Sequence, residues 1–227
     1  MEKYVFTGFS AEYWNKWGIS WLASLKELAE FDGKSIVFAH DTLPATVLSK
    51  LESHGVIVVD GHAGGTGRNR TLLMAEPWIA KNPGVYIHWD GDVYFQDSLD
   101  PLFEIAATSM VSAGNGMVGG PSDLWALFFD FHRTAQLVCP MSVIDALDQF
   151  NKYLTSFATP VDSVWNFSNL PALKWDQKFT RNDRTVPVIH LSEVKFLPDF
   201  HFENKYPHLH ARWKGLHIPT KLVNNHK

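Results

Sequence analysis

Short apolar runs rich in β-formers recur along this chain, each followed by a stretch with helical spacing, and this alternation constrains the fold more than any other feature. Tyr4–Thr7 reads as a first strand, and Trp14, Trp17, Trp21, Leu25 and Leu28 then recur at spacings of three and four, the mark of an amphipathic helix. The pattern repeats with a strand at Ser35–Ala39, a helix over Ala45–His54, a strand at Val56–Val59, a helix over Asn69–Ala80 carrying Pro77, and a strand at Gly84–Trp89. Such an order predicts an α/β fold: a mixed, mainly parallel central sheet with helices on both faces and ligands bound beyond the carboxyl ends of the strands. Further on, the spacing predicts a helix at Leu102–Ala107, a strand at Ser109–Ala113, a glycine-rich loop over Gly114–Pro121, helices at Asp123–Ala135 and Met141–Tyr153, and a strand at Thr185–His190.

The chain has 227 residues, 45% of them apolar, which suffices for one buried core, and neither an internal repeat nor a Pro/Ser/Gly linker divides it. A single domain over residues 1–227 is expected. Cys139 is the only cysteine, so no intramolecular disulfide can form, and a reducing, cytoplasmic setting is the simpler expectation. No signal-peptide pattern opens the sequence and no run approaches the length of a membrane span. A net charge of −4 argues against a generic nucleic-acid binder. The charge is uneven, however: residues 205–227 hold Lys205, Arg212, Lys214, Lys221, Lys227 and four histidines without one acidic residue. This stretch is either a solvated tail or an anion-facing lid.

The strand Gly84–Trp89 ends in Asp90-Gly91-Asp92, followed by the apolar Val93-Tyr94-Phe95. Two carboxylates so close together beside a buried strand repel each other and lose hydration, and a divalent cation relieves both costs. Hard oxygen ligands suit Mg²⁺ or Mn²⁺, ions that commonly join protein carboxylates to phosphates.

The run from Val85 to Phe103, with Asp90-Gly91-Asp92-Val93 and then Leu99-Asp100-Pro101-Leu102-Phe103, resembles the segment around the Asp-x-Asp motif of GT-A-fold glycosyltransferases, above all the family 8-like group. The resemblance implies a single Rossmann-like GT-A domain that moves a hexosyl or pentosyl group from a nucleotide-diphosphate sugar, with a UDP-sugar the expected donor, to an acceptor that the sequence does not identify. It implies a nucleotide-sugar-binding part over residues 1–113, an acceptor-side part over 114–200 and a basic segment over 201–227. Trp21-Leu22-Ala23-Ser24-Leu25 resembles the helix that follows the nucleotide-binding first strand, which places Thr7 at the donor. Arg70-Thr71-Leu72-Leu73-Met74 resembles the family's donor-approaching arginine helix, with Arg68 as the rival for that role. Val188-Ile189-His190-Leu191-Ser192 followed by Lys195 resembles the late element that supplies a third metal ligand, here His190, and a diphosphate-binding lysine. The implied ligand set for Mn²⁺ or Mg²⁺ is thus Asp90, Asp92 and His190, and the implied donor contacts include Gly91, Lys195 and, from the glycine-rich loop, Asn115 and Gly116. Family 8 membership implies retention of anomeric configuration; an inverting route would need a carboxylate base, for which Asp162 and Asp123 are the two candidates.

Two other classes share parts of the pattern. Phosphohydrolases of the haloacid dehalogenase type use Asp-x-Asp with the first aspartate as nucleophile, but their motif opens the chain and continues into Gly-Thr. A polyanion-binding module would use the basic C-terminus.

Overall fold

A computed structural model of the chain describes residues 1–61, 67–114, 116–138 and 158–215. Asn115, Cys139, the helix expected at Met141–Tyr153 and residues 216–227 of the basic segment lie outside the described residues. At the centre is a seven-stranded sheet made of β1 (Lys3–Phe9), β2 (Lys34–Ala39), β3 (Val56–Asp60), β4 (Val85–Trp89), β6 (Val111–Ala113), β7 (Met117–Pro121) and β8 (Thr159–Pro160), in the order β3-β2-β1-β4-β7-β6-β8. Strands β3, β2, β1 and β4 run parallel, and β7 is antiparallel to both β4 and β6. The parallel strands place their carboxyl ends at one rim, and Asp90 follows β4 at that rim.

The period-two alternation of the strands explains how both faces are covered. Val5, Val85, Ile87 and Trp89 face one core with Trp14, Trp17, Trp21 and Leu25 of α1 (residues 11–28), Leu51 of α2 (Ala45–Ser53) and Leu102 of α4 (Asp100–Ala106). Tyr4, Phe6, Tyr86, Ile36 and Phe38 face the other, against Leu72, Ala75 and Ile79 of α3 (Gly67–Ile79) and Trp125 and Phe128 of α5 (Ser122–Val138). Helix α1 is not uniform: two π-helical turns, Trp14–Gly18 and Ser24–Leu28, flank the α-helical Ile19–Ala23. Gly18 lets the Trp14 indole lie directly against the backbone, where a Cβ would strike the ring.

Two departures from the sequence reading shape the site. The glycine-rich stretch is not a loop: residues 117–121 form β7, paired with β4 from Trp89↔Met117 to Val85↔Pro121. Its glycines serve packing, since a Cβ on Gly119 would stand 2.7 Å from Ile87 Cγ1 and one on Gly120 would meet the Met110 sulfur. The strand expected at Thr185–His190 is two strands. Arg184–Thr185 is β11, and Val188–His190 is β12, which pairs antiparallel with β5 (Val93–Phe95). Pro187, which has no N–H to donate, lies between them. Strand β11 closes a three-stranded meander with β9 (Lys174–Asp176) and β10 (Lys178–Arg181), turned at Asn182-Asp183, both at positive φ as a two-residue hairpin turn requires. Gln96 ties this meander to the end of β5 through Phe179 N, Phe179 O and Val186 O.

The described part of the basic segment is docked rather than free. Helices α6 (Asp199–Lys205) and α7 (Pro207–Gly215) bury Phe202, Leu209 and Trp213 in the core around Trp17. Lys205 pairs with Glu193, Lys214 with Asp199, and Arg212 lies 4.8 Å over the Trp175 ring.

Candidate metal and donor site

The antiparallel pairing of β12 with β5 sets His190 opposite Val93, the residue after Asp92. Leu191 N donates to Asp92 O at 2.7 Å and His190 N to Phe167 O at 2.9 Å, so backbone bonds fix both chain segments. His190 Nε2 stands 3.4 Å from Asp92 Oδ1 and 3.8 Å from Asp90 Oδ2. One ligand atom from each of Asp90, Asp92 and His190 lies within 4.8 Å of the others. The Asp92 side chain is 0% exposed, and among the described residues neither of its carboxylate oxygens, nor His190 Nε2, has a well-formed hydrogen bond, with His190 and Tyr13 only nearby. Lys195 Nζ lies 3.5 Å from Asp92 Oδ2, too long for a good hydrogen bond.

A buried carboxylate without hydrogen bonds is costly, by several kcal/mol, unless a cation takes up its lone pairs. Two carboxylates and an imidazole nitrogen with unfilled acceptor sites form a donor set that suits a divalent ion of the Mg²⁺ or Mn²⁺ class. The three residues therefore fit the ion that the resemblance implies. Gly91 lets the two acids turn tightly: a Cβ there would fall on the Phe9 ring, 2.7 Å from its Cζ, and 3.1 Å from Tyr13 Cε1.

Charge in this region is held by neighbours. Burial alone would raise the Asp90 carboxyl, but the Arg68 guanidinium, aided by His88 and His190, outweighs it and holds the group down to about 2. Burial also works to raise Asp92, and the contact with His190, with a smaller contribution from Lys195, keeps it below the ordinary carboxylate range despite the charge of Asp90. His88, two residues before Asp90, is pushed down to about 3 by burial. Burial and the charges of Asp92 and Asp90 drive the Tyr13 hydroxyl far above its usual range.

A cleft of about 690 Å³ opens beside the motif. Among its lining residues are five of those singled out in the sequence besides the two acids: Thr7, Arg68, Arg70, Gly91 and Lys195. Arg68 grips Asp90 with both arms of its fork, Nε to Oδ1 at 3.1 Å and Nη2 to Oδ2 at 2.7 Å. Arg70 lines the cleft without an ion pair among the described residues, and its Nε is buried without a partner. Thr7 Oγ1, in the C-terminal half of β1, is likewise buried without a partner among the described residues. Gly116 faces His190: a Cβ there would stand 2.8 Å from His190 Cε1 and 2.7 Å from Asn166 Nδ2.

The two candidate bases are not brought into the cleft. Asp123 is exposed in the first turn of α5, beyond the end of β7 that pairs with Val85, so the length of β4, about 13 Å, separates its end of the sheet from Asp90. Asp162 is exposed and caps the turn Ser163–Asn166, accepting from Val164 N at 3.1 Å, with Arg184 Nη1 3.6 Å from Oδ2. That turn is nonetheless close to the site through Asn166.

Sequence reasoning missed His40, Tyr13 and His88. His88 had a readable signal, since it precedes Asp90 by one strand period and so points to the same side of the sheet. His40, whose Nε2 lies 2.9 Å from Thr71 Oγ1, and Tyr13, on the first turns of α1, come to the cleft only through the packing of helices on the sheet.

No family model and no curated protein matches the sequence. Solved structures do match. The chain superposes on an active-site mutant of LgtC with a TM-score of 0.61 at 14% identity, covering 95% of each chain. It matches the apo form of the glycosyltransferase GlyE of Streptococcus pneumoniae with a TM-score of 0.54 at 12% identity, covering 74% of this chain and 46% of that one. A second GlyE structure gives 0.52 at 12% identity, with coverage of 75% and 48%, so the chain spans just under half the length of GlyE. At these identities the likeness is one of architecture: the chain has the α/β, GT-A-like fold of these glycosyltransferase structures.

Proposed function

We propose that this protein is a metal-dependent glycosyltransferase of the family 8-like kind, moving a hexosyl or pentosyl group from a nucleotide-diphosphate sugar, a UDP-sugar first among candidates, to an acceptor hydroxyl. The observation that carries the reading is the Asp92 carboxylate, wholly buried without a well-formed hydrogen bond among the described residues, with His190 and Lys195 facing it at the rim of a ligand-sized cleft. The likeness in fold to glycosyltransferase structures supports it.

Asp90, Asp92 and His190 would hold the ion, Mn²⁺ or Mg²⁺. When bound, it supplies Lewis-acid neutralisation of the departing diphosphate. Lys195, on the far side of Asp92 from His190, adds a fixed positive charge where the leaving group gains negative charge, an electrostatic contribution to the barrier. Arg70 offers the donor a guanidinium without an ion pair among the described residues from α3, and Thr7 offers a hydroxyl from the C-terminal half of β1. The backbone of Gly116 lies against the His190 ring, where a side chain would intrude on the metal ligand.

Retention follows from the family resemblance, and NMR of the product anomer reads it; neither Asp162 nor Asp123 lines the cleft where an inverting base would act.

The direct test is calorimetry of nucleotide-sugar binding with and without Mn²⁺ in the native chain and in Asp92→Asn. Metal-dependent binding that disappears in the variant is expected, and equal affinity in both proteins would reject the assignment.

A further inference from the structure

The two acids of the motif are not equivalent. Among the described residues Asp92 has no well-formed hydrogen bond on either oxygen, whereas Asp90 is gripped by Arg68 in a fork whose side chains are only 13% and 21% exposed. Bidentate, charge-assisted pairs of this kind are the strong ones, and this one is largely shielded from solvent. It engages Oδ2 of Asp90, the oxygen that also stands 3.8 Å from His190 Nε2 and so belongs to the group of three ligands. A doubly charged ion shared with that oxygen would stand within a few ångströms of the guanidinium and repel it.

We infer that Arg68 is an exchanging residue of the site: its guanidinium and the divalent ion compete for the Asp90 carboxylate, and entry of the ion turns the guanidinium to the diphosphate of the donor. This rests on the metal-dependent reading given above.

Three observations support the exchange. Arg68 lines the cleft, so a guanidinium released from Asp90 stays within reach of a ligand there. Arg70, two residues along the same helix, lines the cleft with no ion pair among the described residues, so the two arginines differ in what they hold. That difference separates roles the sequence left as rivals: Arg70 is available to an anion at once, Arg68 only after it gives up Asp90. Charge balance points the same way. Asp41, Asp90 and Asp92 are matched by Arg68, Arg70 and Lys195 around the cleft, so the site is near neutral as it stands. A divalent cation and the doubly negative diphosphate of a sugar nucleotide, entering together, preserve that neutrality. Either one alone unbalances it. Ion and diphosphate should therefore bind with positive coupling, and Arg68 should be the residue through which much of it passes.

The experiment is calorimetry on the full chain with Mn²⁺ alone, inorganic pyrophosphate alone, and each in the presence of the other, for the native protein, Arg68→Gln and Arg68→Lys. Exchange predicts opposite signs. Arg68→Gln binds Mn²⁺ alone about tenfold tighter, binds pyrophosphate in the presence of Mn²⁺ about tenfold more weakly, and loses most of the coupling between them. Arg68→Lys, which keeps the charge without the fork, stays within a few-fold of the native Mn²⁺ affinity. If Arg68 merely orients Asp90, both affinities fall in Arg68→Gln, and that result overturns the exchange while leaving the metal-dependent reading intact. Native protein that binds no Mn²⁺ would overturn both together. Should Arg68→Gln fail to fold, the Nε–H resonance of Arg68 in the native chain, followed during titration with Mg²⁺ and pyrophosphate, reads the same event: a shift on addition supports release from Asp90, and an unmoved resonance overturns it.

Discussion

His88 shows how far one residue can couple the fold to pH. It is wholly buried against the Phe6 ring, its Nδ1 has no partner among the described residues, and burial pushes its pKa down to about 3. In the unfolded chain the same imidazole takes up its proton near pH 6.5. Between those values the unfolded state binds more protons than the folded one, so stability is complete above about pH 6.5 and is lost as pH falls toward 3. Thermal melts across that range should show the loss, and His88→Gln, which does not titrate, should flatten the slope relative to the native chain. Gly91 makes a different residue-scale demand. Its missing Cβ makes room for the Phe9 and Tyr13 rings, so Gly91→Ala should cost about 1–3 kcal/mol in urea unfolding. By displacing the turn it should also weaken Mn²⁺ binding.

At the level of elements, β5, β12 and the β9–β11 meander bring the late part of the chain back to the acidic motif. The join is Gln96, buried at the end of β5, which donates to two meander carbonyls and accepts from Phe179 N. Gln96→Leu removes these bonds and leaves the backbone groups of Phe179 and Val186 short of partners. It should destabilise the protein by about 2–4 kcal/mol in denaturant melts, and limited proteolysis should then cut first within residues 174–185. Strand β7 is the element the sequence concealed. A stretch holding Gly114, Gly116, Gly119 and Gly120 looks like a loop because glycine disfavours strands, yet Gly119 lies against Ile87 where no larger residue fits. Gly119→Val should therefore be more damaging than loop substitution would be, with a loss of about 2 kcal/mol or more on unfolding.

For the whole molecule, the cleft and the candidate metal ligands stand at the rim where the parallel strands end, so ligand binding should be read out as global stability. A nucleotide sugar at a hundred times its dissociation constant, with Mn²⁺ present, should stabilise the fold by about 2.7 kcal/mol, and a thermal-shift screen of donors would rank them. The shift should vanish with chelator and in Asp92→Asn. Sugar nucleotides that stabilise the native chain equally with and without metal would count against the proposed mechanism.

Much of this architecture is legible in the sequence because it rests on local periodicity. Strands β1 to β4, their intervening helices and the position of Asp90-Gly91-Asp92 at a strand end follow from apolar spacing and from the desolvation cost of paired acids. Other features depend on contacts between residues far apart in the chain, which no local pattern encodes. The resemblance named His190 and Lys195, but only the β5–β12 pairing sets them against Asp92; tertiary structure also turned the glycine-rich stretch into β7 against β4, and gave Asp90 to Arg68 while leaving Arg70 without an ion pair among the described residues. It also left Asp123 at the opposite end of the sheet, since the antiparallel direction of β7 is set by its pairing with β4 and not by any residue near Asp123.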